Sequence, residues 1–245
     1  MRYHGGKSRS GKKISEILKD IIKKESLVGY CEPFCGACGV MSHMSSLETI
    51  DNFLAGDINP SMICMWKALC DDNWKPDLSN VTRARFLELK GDGSSSAEKG
   101  FIGHVVTYGG QYFKHFSESL ASDSRLYGSK KSVISLSNKM RNVKFQCGNY
   151  DQYDDIIGYL IFCDPPYEKT SYYFDENNRS RKFDSLSFWE WCRKMSENNV
   201  IVVNEMSDIN KNGWNKIVLP PRGIRYFNYT VKTDECLFVM NNIKK

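Results

Sequence analysis

Three stretches of the chain combine residue types that can do chemistry. The first, "CEPFCGACG" at residues 31–39, can be read in two ways. As thiols, Cys31, Cys35 and Cys38 have a C-x3-C-x2-C spacing that could hold an iron–sulfur cluster. As a turn, Glu32, Phe34, Gly36 and Gly39 follow a short apolar segment and could cradle a nucleotide-like ligand, because backbone without a Cβ allows close approach. The second stretch is "GDIN". Its Asp57 lies eighteen residues beyond Gly39, near the interval at which an acid ending a second strand accepts hydrogen bonds from ribose hydroxyls; an acid at a helix N-terminus is the plainer alternative. The third is Asp164-Pro165-Pro166-Tyr167, directly after the apolar run "YLIFC". A carboxylate, two residues of fixed φ that orient neighbouring carbonyls, and an aromatic ring make a pocket for an exocyclic amine on a planar base.

The elements that must position these groups follow from hydrophobic periodicity. Ile14, Ile17, Leu18, Ile21 and Ile22 recur at helical spacing and predict an amphipathic helix with lysines on its wet face. Leu27 to Cys31 reads as a short strand entering the glycine turn, and a helix beginning near Gly39 would carry Val40, Met41 and Met44 inward. "FLAGD" reads as a second strand, and Pro60 opens a helix holding Met62, Met65, Trp66 and Leu69. Such a β-α-β unit implies parallel pairing. Between about residues 75 and 142 no period is sustained, and "GDGSSSAEKG" is polar and flexible, so this part reads as an inserted, smaller domain. The α/β pattern returns with "VKFQC" and "YLIFC", a helix around Phe188 to Glu197, the strand "VIVVNEM", and a last pair near "IRYFNYTV" and "ECLFVM". The expected fold is α/β: a Rossmann-like sheet formed by residues 1–74 and 143–245, with residues 75–142 inserted as a small, mainly helical domain.

Composition narrows the function classes. A chain of 245 residues suffices for one large α/β domain carrying an insertion and needs no disulfide staples. Nine cysteines, an odd number, and an N-terminus "MRYHGGKSRS" without a signal-peptide core point to a reducing, cytoplasmic interior. No stretch approaches the roughly 18 apolar residues of a membrane span, so no membrane partner is expected. The net charge of +5 is segregated: residues 1–25 carry eight Lys or Arg against three acids, and residues 75–145 carry twelve against six. Segregation of this kind suggests a basic surface facing a polyanion, with a solvated lysine-rich helix face as the alternative. Histidines stand scattered at His4, His43, His104 and His115, and no metal site is expected. A phosphate-loop reading of "GGKS" fails because its first glycine would fall at Met1.

In chain order, "RYHGGK", "EPFCGACG", "GDIN", the basic insertion and "DPPY" resemble the Dam-like group of adenine-N6 DNA methyltransferases, from Tyr3 to about Met240. The order is similar to the alpha arrangement, in which the target-recognition region lies between the cofactor motifs and the catalytic one. The resemblance implies S-adenosylmethionine (SAM) as cofactor and double-stranded DNA as partner. It places Tyr3 and Lys7 near the cofactor's methionine and reactive face, with Glu32, Phe34, Gly36 and Gly39 around it. Asp57 would take its ribose, and Asn149 and Tyr150 would line its adenine ring; Asp164 would face both cofactor and substrate. Asp164 and the Pro165 carbonyl would each accept one hydrogen of adenine N6, beside Pro166, and Tyr167 would stack on the flipped base.

Within the insertion, Tyr108, Gln111, Tyr112, Lys114 and His115 are the side chains suited to reading bases, and Lys130, Lys131, Lys139 and Arg141 to holding phosphate. Tyr112, Phe113 and Phe116 could instead be the insertion's own core. The long segment after Tyr167 reads as a lid that offers Tyr172, Tyr173, Arg179 and Arg181 to DNA, or else as a surface loop. Other readings remain at this point. Cys31, Cys35 and Cys38 resemble the motif of radical SAM proteins, and methyl transfer to cytosine N4, RNA or a protein amide would use a related pocket. An aspartate heading the motif resembles the adenine enzymes best.

Overall fold

The computed structural model describes residues 3–72, 74–168, 172–174, 180–220, 222–225, 230–233 and 235–243. Helix α1 (Gly11–Glu25) buries Ile14, Leu18 and Ile22, with Ile17 and Ile21 packed at the edge of the same stripe. Strand β1 (Gly29–Glu32) follows, then the short α2 (Met41–Met44), β2 (Asn52–Asp57) and α3 (Pro60–Cys70). Helix α3 starts where the sequence indicates: Pro60 needs no intrahelical donor, and the Asn59 side chain accepts hydrogen bonds from the amides of Ser61 and Met62.

Next come α4 (Arg83–Gly91), α5 (Ala97–Val105), α6 (Asp123–Ser137), β3 (Val143–Cys147) and β4 (Tyr159–Cys163). The C-terminal part holds β5 (Tyr172–Phe174), β6 (Ser180–Lys182), α7 (Ser185–Met195), β7 (Val200–Met206), β8 (Asn215–Val218), β9 (Arg222–Arg225), β10 (Thr230–Thr233) and β11 (Glu235–Asn241).

Seven strands form one sheet in the order β3-β2-β1-β4-β7-β11-β8. The first five pair in parallel, and β11 runs antiparallel to both β7 and β8. This is the expected Rossmann-like α/β sheet. Its strand order reverses between β1 and β4, so the loops leaving those two strands flank a crevice at the carboxyl edge, where sheets of this kind take ligands.

Departures from the sequence expectation have local causes. Helix α2 is only four residues long, because the turn before it uses left-handed backbone at Gly36 (φ 44°) and Cys38 (φ 54°). The segment around Arg222–Arg225 pairs with β10 in a separate ladder, and β8 takes the sheet edge instead. That strand is short and mostly exposed, so it carries no apolar alternation to read.

The stretch between α3 and β3 is helical where the sequence shows no period, and α5 explains why. Its residues from Lys99 to Val105 are all buried, so it has no wet face to set a rhythm. It lies tightly on α3: a Cβ at Gly100 would stand 2.1 Å from the Ser61 carbonyl oxygen. Phe86, Phe101, Phe113, Leu126 and Val133 join one apolar cluster with α1, α3 and one face of the sheet. On the opposite face, Phe188, Trp189, Trp191 and Met195 of α7 cover Ile161, Ile201 and Val203. Among the described residues, no helix is long and apolar enough to cross a membrane.

Candidate active site

The site begins where two sequence motifs interlock. A Cβ at Gly36 would meet the Tyr3 ring at 2.6 Å, one at Gly39 would meet the Lys7 backbone at 2.9 Å, and one at Gly11 would fall 2.0 Å from the Gly39 carbonyl oxygen. The glycines of the β1 turn therefore admit the N-terminal segment first of all, and through it fix Lys7 over the sheet edge. Tyr3 in turn packs on His104 of α5, ring centroids 4.9 Å apart. The Gly110 carbonyl receives the amide of His4 and contacts the His104 ring nitrogen at 2.9 Å.

At the end of β4, Asp164 meets this segment. Lys7 Nζ lies 2.7 Å from Asp164 Oδ1 and also donates to Tyr167 Oη at 2.9 Å and to the Gly5 carbonyl at 3.1 Å. Asn204 of β7 donates through Nδ2 to the same Asp164 oxygen at 3.0 Å and to Tyr167 Oη at 2.6 Å. The Tyr167 hydroxyl then donates to Glu235 Oε1 at 2.8 Å. Burial raises the Asp164 carboxyl above its usual range, and Lys7 and Asn204 oppose that shift.

Two further acids line the edge. Asp57, raised by burial, holds the turn in place: Oδ2 accepts from the Gly36 amide at 3.0 Å and Oδ1 from the Asn59 amide at 2.9 Å. Glu32 is 3 % exposed, accepts from the Tyr30 hydroxyl at 2.5 Å, and is pushed up to about 8 by burial. Phe34 stacks toward Tyr150 at 5.8 Å and meets Phe183 and Phe188 edge-on, forming one aromatic wall beside the crevice. Asn149 is exposed at the end of β3. Two acids, an ion-paired lysine and an aromatic wall at a switch point could hold a polar, ring-containing ligand.

The three thiols do not share one site. Cys31 packs into the α7 side of the sheet, whereas Cys35 and Cys38 belong to the opposite apolar cluster, so they serve as small packing residues on two faces.

The sequence matches the family described as D12 class N6 adenine-specific DNA methyltransferase over residues 3–96 and 100–228. The chain belongs to that family. No curated protein matches the sequence. Similar solved structures include the precorrin-6y C5,15-methyltransferase of Geobacter metallireducens, at 10 % identity over 94 % of this chain and 89 % of that one, TM-score 0.40. The putative methyltransferase yhhF of Escherichia coli has 11 % identity over 94 % and 85 %, TM-score 0.38. The putative methylase HI0767 of Haemophilus influenzae has 11 % over 96 % and 99 %, TM-score 0.38.

The side chains expected from the sequence to contact DNA lie mostly between α3 and β3. Tyr108 stands out of a glycine loop, 68 % exposed, with Lys114 and His115 also exposed, Gln111 half-buried, and Lys131, Lys139 and Arg141 on the surface; Lys130 is half-buried. Tyr112 does not fit the reading of it as a base contact: it is 5 % exposed, wedged between His104 and Phe113. The side chains of Tyr172, Tyr173 and Arg181, and Arg179 altogether, lie outside the described residues.

Sequence reasoning missed Asn204, Glu235, Tyr30 and Phe183. Asn204 had a signal, a polar residue directly after the buried run "VIVV" in the same strand. Glu235 had none, because it reaches the site only once β11 is known to run antiparallel and bring its first residue to this edge.

Proposed function

We propose that this D12-class chain transfers a methyl group from SAM to N6 of an adenine flipped out of a specific short sequence in double-stranded DNA. The observation that carries the reading is the state of Asp164. Lys7 and Asn204 both hold Oδ1, while Oδ2 has no hydrogen bond among the described residues and remains to accept one from the substrate.

Bound SAM would supply an electrophilic methyl group on a sulfonium. Tyr3, Lys7, Glu32, Phe34, Gly36, Gly39, Asp57, Asn149 and Tyr150 would surround it, with the carboxylates of Asp57 and Asp164 favouring its positive charge. Adenine N6 is a poor nucleophile because its lone pair is delocalised into the ring. Asp164 Oδ2 accepts one N6 hydrogen and the Pro165 carbonyl the other, drawing the nitrogen toward tetrahedral geometry so that its lone pair is localised and aimed at the methyl group. Pro165 and Pro166 fix that carbonyl's direction. The one proton that N6 must lose on methylation would leave by way of Asp164. Orientation and preorganised electrostatics supply the rate. Tyr167 offers its ring to the flipped base. Tyr108, Gln111 and Lys114 read or hold DNA from the insertion, with Lys130 and Lys131 on phosphates; two of its other basic residues are already committed, Arg85 to Glu98 and Lys99 to the carbonyls of Asp92 and Ser94.

The test is transfer of labelled methyl from SAM to unmethylated duplex DNA, with nucleoside analysis of the product. Label in N6-methyladenine supports the reading. Label on cytosine N4, RNA or protein, or none at all, overturns it.

A further inference from the structure

We propose that Glu235, at the start of β11, is a positioning residue for methyl transfer, acting through the Tyr167 hydroxyl to hold that ring in place for the target base. The proposal rests on the reading of Tyr167 as the platform for a flipped adenine. Stacking alone needs only a ring, and phenylalanine would supply one. Yet the Tyr167 hydroxyl is used to capacity: its proton goes to Glu235 Oε1 at 2.8 Å, and its two lone pairs receive Lys7 Nζ at 2.9 Å and Asn204 Nδ2 at 2.6 Å. These partners come from three separate places in the fold: the N-terminal segment, β7 and β11. A ring whose far end is bound on three sides cannot swing about its χ1 and χ2 torsions, and its plane is set before substrate arrives.

Glu235 is the member with no other part in the proposed chemistry. Its side chain is 12 % exposed; besides the tyrosine hydroxyl at 2.8 Å, its carboxylate forms a looser ion pair with Lys7 Nζ at 3.9 Å, beyond hydrogen-bond distance. Because Tyr167 Oη donates to Glu235, both of its lone pairs turn toward Lys7 and Asn204, the two residues that also hold Asp164. One carboxylate thus orders the hydroxyl whose neighbours aim the catalytic acid.

The experiment compares wild type with Tyr167→Phe, Glu235→Ala, Glu235→Gln and the double variant Tyr167→Phe/Glu235→Ala, in full-length protein. It measures kcat and KM for duplex DNA, SAM affinity by calorimetry, and thermal melting to establish folding. Tyr167→Phe and Glu235→Ala are each expected to lower kcat by about ten- to hundredfold, the effect of losing a hydrogen bond to a charged group, with SAM affinity kept. Glu235→Gln, whose amide oxygen accepts the same bond, is expected to recover to within about threefold of wild type. In the Tyr167→Phe background Glu235→Ala is expected to cost little more, since the contact is already gone. Full activity of Tyr167→Phe, or independent and additive losses in the double variant, would overturn the proposal while leaving the reading of the site intact. A wild type that does not methylate adenine sinks the reading itself, and this inference with it.

Discussion

Lys7 Nζ and Asp164 Oδ1 lie 2.7 Å apart, joining the N-terminal motif to the strand-end motif through an ion pair in which the lysine side chain is only 6 % exposed. Neither motif makes a site alone. The N-terminal segment brings the cation, β4 brings the carboxylate, and the glycine turn after β1 is shaped so that they meet.

Asp164→Ala should leave a folded protein with methyl transfer reduced by about a thousandfold or more, because it removes the proposed acceptor for N6. Circular dichroism and labelled-methyl assays check the two halves of this statement. A variant retaining substantial turnover would assign the chemistry elsewhere.

Lys7→Met removes the charge that opposes the burial shift of Asp164. The carboxyl then protonates at higher pH, so the acid limb of the pH profile for kcat/KM should move upward and turnover at neutral pH should fall by about tenfold or more. An unmoved acid limb would mean that Asp164 ionisation does not control the rate.

Glu32 titrates near 8 in the fold, against an ordinary value of 4.5, because it is buried. Between those two values the native state binds the more protons, so stability falls as pH rises through the window and levels off above it. Glu32→Gln has no proton to lose there. Urea unfolding across roughly pH 5 to 8 should therefore show wild type losing stability relative to the variant, and parallel curves would refute the assignment.

Gly11→Ala and Gly109→Ala separate packing from backbone conformation. A Cβ at Gly11 strikes the Gly39 carbonyl at 2.0 Å, which neither segment can relieve without parting Lys7 from Asp164. Gly109, at φ 63° with open space around it, faces only the left-handed penalty of about 1–2 kcal/mol. The first should destabilise the fold more and impair SAM binding; the second should leave SAM binding unchanged, as calorimetry and melting can show.

Tyr108→Ala and Tyr112→Ala should behave oppositely, although both came from one aromatic stretch of sequence. Loss of the buried Tyr112 ring should cost about 3–5 kcal/mol of stability by analogy with other large core truncations. Loss of the exposed Tyr108 ring should leave melting unchanged and weaken duplex DNA binding, measured at fixed salt.

Much of the fold was legible in the chain. Ile14, Leu18 and Ile22 announce α1, Asn59-Pro60 announces α3, and the apolar runs before Glu32, Asp57 and Asp164 announce strands whose carboxyl ends carry polar groups. These signals are local: caps act within one turn and amphipathic periods within one element, so neighbouring residues suffice to encode them. Helix α5 was invisible because it is buried all round, and Tyr112 could not be told from Tyr108 because an aromatic ring has the same chemistry in a core as on a surface.

The sequence by itself determined the α/β class, the motif order and the acids at the ends of three strands. Only the tertiary structure decided that the glycines of the β1 turn make room for Tyr3 and Lys7, that Cys31 lies across the sheet from Cys35 and Cys38, and that Asn204 and Glu235 close on Tyr167. These are contacts between segments far apart in the chain. Strand order and direction set them, and no local pattern of residues carries that information.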